Sequence, residues 1–405
     1  GWYFSEKMLF HSYTFLFLFL PITLAGFYHL QGKQNHNAAI LWMVICSLFF
    51  YSWWNPFYLP LLLFSIAFNF ITGSYLGKTA GRSVRSRRFV LITGIFVNLA
   101  LIGYFKYFNF FLSSVNHAFK AEFSSASIIL PLAISFFTFQ QISYLVDSDK
   151  GETFEYSLLH YCCFVSFFPQ LIAGPIVKHQ ELLPQLANRK NSRFTELNIA
   201  VGVSIFVIGL CKKVVIADSL AFQATPVFTL AETGETIAFF TAWKGAVSYS
   251  LQLYFDFSGY SDMAVGLGRM FGLKLPLNFH SPYKAVNIID FWRRWHITLS
   301  RFLRNYLYIP LGGNRKGIPR KYTNLMITML LGGLWHGAGW TFVFWGGLHG
   351  VFLIINHAFR KVHPFKGTGK YCITVTRLFT FTCVTVAWVF FRAESFGSNF
   401  TICKR

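Results

Sequence analysis

The stretch LLGGLWHGAGWTFVFWGG, residues 330–347, surrounds one ionisable side chain, His336, with glycines and tryptophans. It lies in a longer run, 322–359, that contains no Asp, Glu, Lys or Arg. A helix rises about 1.5 Å per residue, so this run is too long for one crossing of a hydrocarbon core of about 30 Å. We therefore predict two membrane segments that fold back on each other at a glycine. The candidate glycines are those at 332, 333, 337, 339, 346 and 347.

The composition of the whole chain also indicates an integral membrane protein. Hydrophobic residues make up 54% of its 405 residues and charged residues only 13%, far outside the range of soluble domains. The apolar runs are continuous rather than alternating, which predicts helices and not a β-barrel. We predict an all-α polytopic fold of about ten or eleven transmembrane or re-entrant helices, forming a single domain over 1–405. The predicted segments are 12–30, 38–54, 56–76, 89–112, 128–146, 158–177, 197–217, 237–255 and 371–391, with two more inside 322–359.

Basic side chains are concentrated in a few loops, and the net charge is +21. The loop 73–88 contains Lys and Arg but no acidic residue, and 273–321 carries ten Lys or Arg against Asp290 alone. The positive-inside rule therefore predicts that both loops are cytoplasmic. Anionic lipid headgroups are the expected partners of these loops, and a nucleic acid partner is not predicted.

The segment NIIDFWRRWHITLSRFLRNYLYIPLGGNRKG, 287–317, lies inside 273–321, which is the long polar segment of the chain. Its large apolar residues recur at helical spacing with arginines between them, which predicts an amphipathic helix at the cytoplasmic interface. His296 lies on this helix, and a purely structural role for it stays open. The apolar positions are Phe291, Trp295, Leu299, Phe302 and Tyr306, and the arginines are Arg293, Arg294, Arg301 and Arg304.

His336 is predicted to lie at membrane depth, on the wall of a cavity between packed helices. One interpretation is a histidine that is hydrogen-bonded across helices. The other is a functional residue, because an imidazole with a pKa near 6.5 takes a proton from a hydroxyl and returns it to a leaving group, as acyl transfer requires. No GxSxG motif is present, and the nearby histidines do not form HxxxH or HExxH, so neither a serine-hydrolase triad nor a metal site is predicted.

Two long motifs resemble a known family. The stretches FWRRWHITLSRFLRNYLYIPLGGNR, 291–315, and NLMITMLLGGLWHGAGWTFVFWGGLHG, 324–350, closely resemble the membrane-bound O-acyltransferase family. The resemblance is to its alginate O-acetyltransferase branch, which also includes membrane components that acetylate peptidoglycan and other exported glycans. It extends over nearly the whole chain, with further matching stretches at 8–24, 167–179 and 253–283.

The resemblance implies a tunnel through the membrane and an O-acetyltransferase activity. An acetyl group would pass from a cytoplasmic donor, acetyl-CoA, to an exported polysaccharide such as alginate or peptidoglycan, with no tightly bound cofactor. It further implies that His336 is the catalytic residue and that His296 is a second family histidine facing it across the tunnel. Arg293 and Arg294 are weak candidates for contacts to the donor phosphates, whereas His349 matches the family pattern and is assigned a packing role.

The resemblance also implies a location and a partner. It places the protein in the bacterial cytoplasmic membrane, with a periplasmic partner of the SGNH-hydrolase type. Two alternatives stay open: a non-catalytic transporter or scaffold, and transfer of another acyl group such as D-alanine. Compared with the family, the residues GWYFSEK, 1–7, are expected to be an upstream remnant, and the chain is expected to end before the family's last spans.

Overall fold

The computed structural model describes residues 8–78, 83–153, 157–172, 174–362 and 369–392. These residues form helices and connecting loops with no β-strand among them, which confirms the all-α prediction. The expected upstream remnant, 1–7, the chain end, 393–405, and the part 79–82 of the first basic loop lie outside the described residues. The helices are α1 Leu20–Gly32, α2 His36–Trp54, α3 Leu59–Gly77, α4 Val84–Ile102, α5 Phe108–Phe119, α6 Ile134–Asp149, α7 Leu158–Ser166, α8 Phe168–Leu171, α9 His179–Ala187, α10 Glu196–Cys211, α11 Asp218–Glu232, α12 Phe239–Met270, α13 Ile288–Arg294, α14 Ile297–Leu303, α15 Ile318–His336, α16 Trp340–Val362 and α17 Lys370–Arg392.

Seven helical stretches in this part of the chain are long and apolar enough to cross a membrane. They indicate a multi-pass membrane protein. Four predicted segments are not among them. Two of these lie in short helices, since α6 has 16 residues and α7 has 9 before the chain bends into α8, and the other two, 237–255 and the first segment of 322–359, lie in α12 and α15. The lengths of α6 and α7 are typical of re-entrant or buried helices. The prediction of about ten or eleven segments included re-entrant helices as well as transmembrane ones. The seven stretches are Phe15–Gly32, His36–Trp54, Pro56–Gly77, Val84–Phe119, Glu196–Glu232, Trp340–Lys361 and Lys370–Arg392.

The chain divides into two compact units, and whether they act as the predicted single domain stays a prediction. The first unit comprises Gly1–Leu210 and Tyr260–Pro276, and phenylalanines such as Phe15, Phe50 and Phe168 fill its core. The buried Asn69 on α3 and Asn98 on α4 exchange side-chain hydrogen bonds of 3.2 and 2.7 Å. This pair satisfies two amides that would be costly to bury alone in a membrane helix.

The second unit comprises Cys211–Gly259 and Leu277–Arg405. Its core contains the buried Trp295, Trp345 and Trp388, and the Trp388 ring contacts both of the others. Helices α15 and α16 form an antiparallel hairpin, and α17 packs against α16. The predicted fold-back of the uncharged run is therefore present inside this unit.

The segment predicted to be one amphipathic helix is not continuous in the structure. The segment forms two short helices, α13 and α14, separated at His296, whose backbone has a φ of +41° in the left-handed region. The break follows from tertiary contacts, because the Ile297 N–H donates to the Asn278 carbonyl at 2.9 Å and the Thr298 N–H donates to Asn278 Oδ1. The predicted two-sided character holds, since Phe291 and Leu299 are buried while the arginines are exposed or half-buried.

Candidate functional site

His336 is the last residue of α15, at the turn of the helical hairpin. The next residue, Gly337, has extended backbone, and α16 begins at Trp340. Of the six candidate glycines, those at 337 and 339 therefore lie in the break. The turn leaves the His336 side chain half-buried.

The glycines at 333 and 346 serve a different purpose, which is close packing of α15 on α16. A Cβ added to Gly333 would lie 3.1 Å from the backbone N and Cα of Gly346, and it would overlap the Phe342 carbonyl oxygen. A Cβ added to Gly346 would overlap the Met329 carbonyl oxygen. Only glycine at both positions lets the two backbones approach this closely. The glycines thus set the position of the helix end that carries His336.

His296 is fully buried and held by one amide. Its Nδ1 lies 3.0 Å from Oδ1 of Asn278, which also accepts hydrogen bonds from the Thr298 backbone N–H at 3.3 Å and from its hydroxyl at 2.9 Å. Because a backbone N–H only donates, the Asn278 atom that faces it must be the oxygen. Nδ1 of His296 therefore carries the proton.

The other ring nitrogen of His296 is left with a lone pair. Nε2 is buried and has no hydrogen-bond partner within the described ranges. Burial, followed by the charge on His336, lowers the pKa of His296 well below its ordinary value. The ring is thus neutral at physiological pH, with its tautomer set by Asn278.

The two histidines selected from the sequence lie next to each other. Their ring centroids are 6.3 Å apart, and Trp335 contacts both rings. Phe257 of α12 packs edge-on against His296 at 4.8 Å. The His336 ring also packs against Trp345, at 5.2 Å between centroids. Two histidines from distant sequence positions therefore share one aromatic enclosure.

The two arginine candidates differ from each other in their surroundings. Arg294 donates from Nε to Asp290 Oδ1 at 2.9 Å and from Nη1 to the His280 carbonyl at 3.4 Å. Its charge is therefore already paired. Arg293 is exposed, so it remains the better candidate for contact with an anionic group.

Asn278 is the site residue that the sequence reasoning missed. It lies in the stretch LKLPLNFHSPY, 273–283, which was recognised only as a matching motif. An amide with apolar neighbours, followed by a histidine-containing motif, was the available signal. Its partner residue, His296, is distant in sequence, so spacing alone did not connect the two.

His349, assigned to packing from the sequence, is fully buried one helical turn after Trp345 on α16. Its ring lies 4.8 Å from Trp345 and 5.2 Å from Trp292, between centroids. Over the described ranges, no three His, Cys, Asp or Glu side chains are grouped in a way that would hold a metal ion.

Comparisons with known proteins agree with these motifs. Residues 154–393 match the family model described as "MBOAT, membrane-bound O-acyltransferase family". The chain is 47% identical over 427 residues to a peptidoglycan O-acetyltransferase of Helicobacter pylori, covering 98% of this chain and 79% of that protein. It is 44% identical over 403 residues to the protein named "Probable alginate O-acetylase AlgI" of Pseudomonas putida, covering 96% and 78%. A teichoic acid D-alanyltransferase of Bacillus subtilis is 26% identical over 286 residues, covering 67% and 70%.

Proposed function

This chain belongs to the membrane-bound O-acyltransferase family and is an O-acyltransferase, and on that premise we propose that it transfers acetyl groups to an exported polysaccharide. The observation that carries this proposal is the pair His296 and His336 in one aromatic enclosure, 6.3 Å apart between ring centroids. One of these rings is neutral, buried and held in a single tautomer by Asn278. A pre-oriented pair of imidazoles is suited to moving a proton during acyl transfer.

In the proposed reaction, His336 acts as the general base. A hydroxyl oxygen of the acceptor attacks the carbonyl carbon of the acetyl thioester, and His336 takes the hydroxyl proton as the new C–O bond forms. The C–S bond then breaks, and His336 returns the proton to the departing sulfur. An ester and a free thiol are the products, and the histidine is regenerated.

His296 orients the donor in this mechanism. Its Nδ1–H is committed to Asn278, so Nε2 acts as a hydrogen-bond acceptor. The matching group on a substrate carries an N–H or O–H, such as an amide of the pantetheine arm of acetyl-CoA. Because the His296 ring is neutral, it adds no positive charge that would disfavour protonation of His336 during the reaction.

The relatives support a choice of acyl group and of acceptor class. The relatives named for acetylation are 44 and 47% identical to this chain, whereas the D-alanyltransferase is 26% identical. We therefore favour acetyl over D-alanyl transfer, with acetyl-CoA as donor and alginate or peptidoglycan as the class of acceptor. These polymers lie outside the cytoplasm, so the proposal places the protein in the bacterial cytoplasmic membrane with a periplasmic SGNH-hydrolase-type partner. Arg293 is the candidate for binding donor phosphates at the cytoplasmic side.

The test compares purified wild-type protein with His336→Ala and His357→Ala variants in nanodiscs. His357 lies on the same helix hairpin, where its ring approaches Lys321 at 3.4 Å, and therefore serves as a matched control. Each protein is given radiolabelled acetyl-CoA, and thiol release and label transfer to a glycan mimic are measured. We expect loss of turnover only in His336→Ala, with elution in size-exclusion chromatography unchanged. Equal turnover by all three proteins would remove His336 from the mechanism.

A further inference from the structure

Besides Nε2 of His296, four polar atoms of the Trp292, Trp345 and His349 side chains are buried near His336 and have no hydrogen-bond partner in the described part of the chain. They are Nε1 of Trp292, Nε1 of Trp345 and both ring nitrogens of His349. Buried polar groups in folded proteins are almost always paired, because an unpaired one loses its hydrogen bonds to water without compensation. Several unpaired groups in one place therefore call for an explanation.

These groups belong to one set of rings. His349 packs edge-on against Trp292 and Trp345, and the two indole rings lie 6.0 Å apart between centroids. Trp345 also contacts the His336 ring at 5.2 Å. Each indole has one N–H, and a neutral imidazole has one N–H and one lone pair. This set of three rings thus carries three N–H donors with no acceptor among the described residues.

Packing alone gives a poor account of this arrangement. The chain contains 50 phenylalanines, and they fill most of its buried aromatic positions without any unpaired polar atom. A phenylalanine in place of His349 would keep an aromatic ring among Trp292, Trp345 and Phe352 while removing two unpaired nitrogens. His349 therefore costs stability that phenylalanine would not cost, which is typical of a group that serves the reaction.

We propose that His349, together with Trp345 and Trp292, binds the acyl carbonyl oxygen when that oxygen becomes negatively charged. This inference rests on the acyl-transfer function proposed above. When the acceptor hydroxyl adds to the thioester carbonyl, the C–O bond forms and the carbonyl π electrons move to oxygen, giving a tetrahedral oxyanion. When the oxyanion collapses, the C=O bond is restored and the C–S bond breaks.

N–H donors that are already desolvated and have no other acceptor stabilise such an oxyanion strongly. They need no reorganisation during the reaction, and the surrounding rings exclude water that would screen the charge. The donors come from α13 and α16, and Trp345 is common to the donor set and to the surroundings of His336. The base and the oxyanion donors thus occupy the same enclosure.

The first experiment compares His349→Phe with His349→Gln, since glutamine keeps an N–H donor and phenylalanine keeps only the ring. We expect kcat to fall about 100-fold in His349→Phe, while KM for acetyl-CoA stays nearly unchanged. The melting temperature should stay the same or rise. We expect His349→Gln to recover a substantial part of kcat. Full kcat in His349→Phe, or a loss no greater than its loss of folded protein, would overturn the proposal.

The second experiment reads the carbonyl directly and does not depend on turnover. Acetyl-CoA carrying a ¹³C-labelled carbonyl is bound to His336→Ala protein, and its carbonyl stretch is measured by infrared difference spectroscopy with and without His349→Phe. We expect the stretch to move to higher frequency when the donor is removed, and an unchanged stretch counts against the proposal. Should His349→Phe fail to fold, Trp345→Phe removes a second donor and is read in the same two assays.

The two proposals fail in different ways. If His336→Ala keeps wild-type turnover, the proposed general base is wrong, whatever the carbonyl stretch does. If His336→Ala is inactive while His349→Phe has wild-type kcat and an unchanged stretch, only the oxyanion assignment is wrong.

Discussion

Replacing Gly346 by alanine should separate α15 from α16 and displace His336. The new Cβ would overlap the Met329 carbonyl oxygen and lie 3.2 Å from the Gly333 Cα, and both are backbone atoms that cannot rotate away. Restoring an ordinary contact requires the helices to move apart by roughly 1 Å, and overpacking of this kind costs about 1–3 kcal/mol. Alanine returns up to about 1 kcal/mol through its better helix propensity, which offsets only part of the loss.

The same movement should affect catalysis more than stability. Met329 precedes His336 by about two helical turns, so a shift at Met329 is carried to the end of α15. A misplacement of about 1 Å costs up to roughly 100-fold in rate. We therefore expect a loss of kcat of about 10- to 100-fold in Gly346→Ala, measured as thiol release from acetyl-CoA, and a lowered melting temperature.

Gly347→Ala is the matched control for this prediction. A Cβ at Gly347 would lie 3.4 Å from Leu330 Cδ2, an ordinary van der Waals contact with a side chain that is free to adjust. The control should therefore keep wild-type turnover and melt at the same or a higher temperature. Wild-type behaviour of Gly346→Ala, or equal damage by the two adjacent substitutions, would refute the packing argument.

Three further predictions concern the amides and the buried imidazole. Asn278→Leu removes the acceptor of His296 Nδ1, and it should reduce turnover and destabilise the fold by about 1–3 kcal/mol. Asn278→Asp keeps the acceptor and should lose less turnover and less stability. Thiol release measures the turnover of both variants, and melting curves measure their stability. The lowered pKa of His296 means that the unfolded chain binds a proton before the folded chain does as the pH falls. The contribution of His296 to stability should therefore be constant above about pH 6.5 and decrease below it. The decrease in melting temperature below this pH should be smaller in His296→Gln than in the wild type, and parallel curves of melting temperature against pH would contradict this. Asn98→Leu leaves Asn69 without its interhelical partner and should cost roughly 0.6–1.7 kcal/mol, and a double-mutant cycle with Asn69→Leu should recover part of that loss; strict additivity in the cycle would show that the two amides are not coupled.

Several properties of this protein were determined by sequence alone. Continuous apolar runs and a scarcity of charge predict membrane helices, because a bilayer requires every backbone polar group to be paired within its segment. The uncharged run 322–359 had to fold back, since its length exceeds one crossing. The long motifs around His296 and His336 were specific enough to indicate the family. All of these signals are local or compositional, so they can be read without knowing which segments meet.

The tertiary structure decided what depends on distant contacts. The six glycines of the hairpin look alike in sequence, yet those at 337 and 339 lie in the turn, whereas Gly333 and Gly346 permit backbone contact. The predicted amphipathic helix is broken at His296 because Asn278, from another loop, takes the hydrogen bonds that would have continued it. The sequence assigns His349 to packing. The structure shows in addition that both of its ring nitrogens lack a protein partner in the described chain, which depends on residues from other helices. Sequence periodicity indicates which face of a helix is apolar. It does not indicate which atoms lie opposite that face, because those atoms belong to other segments of the chain.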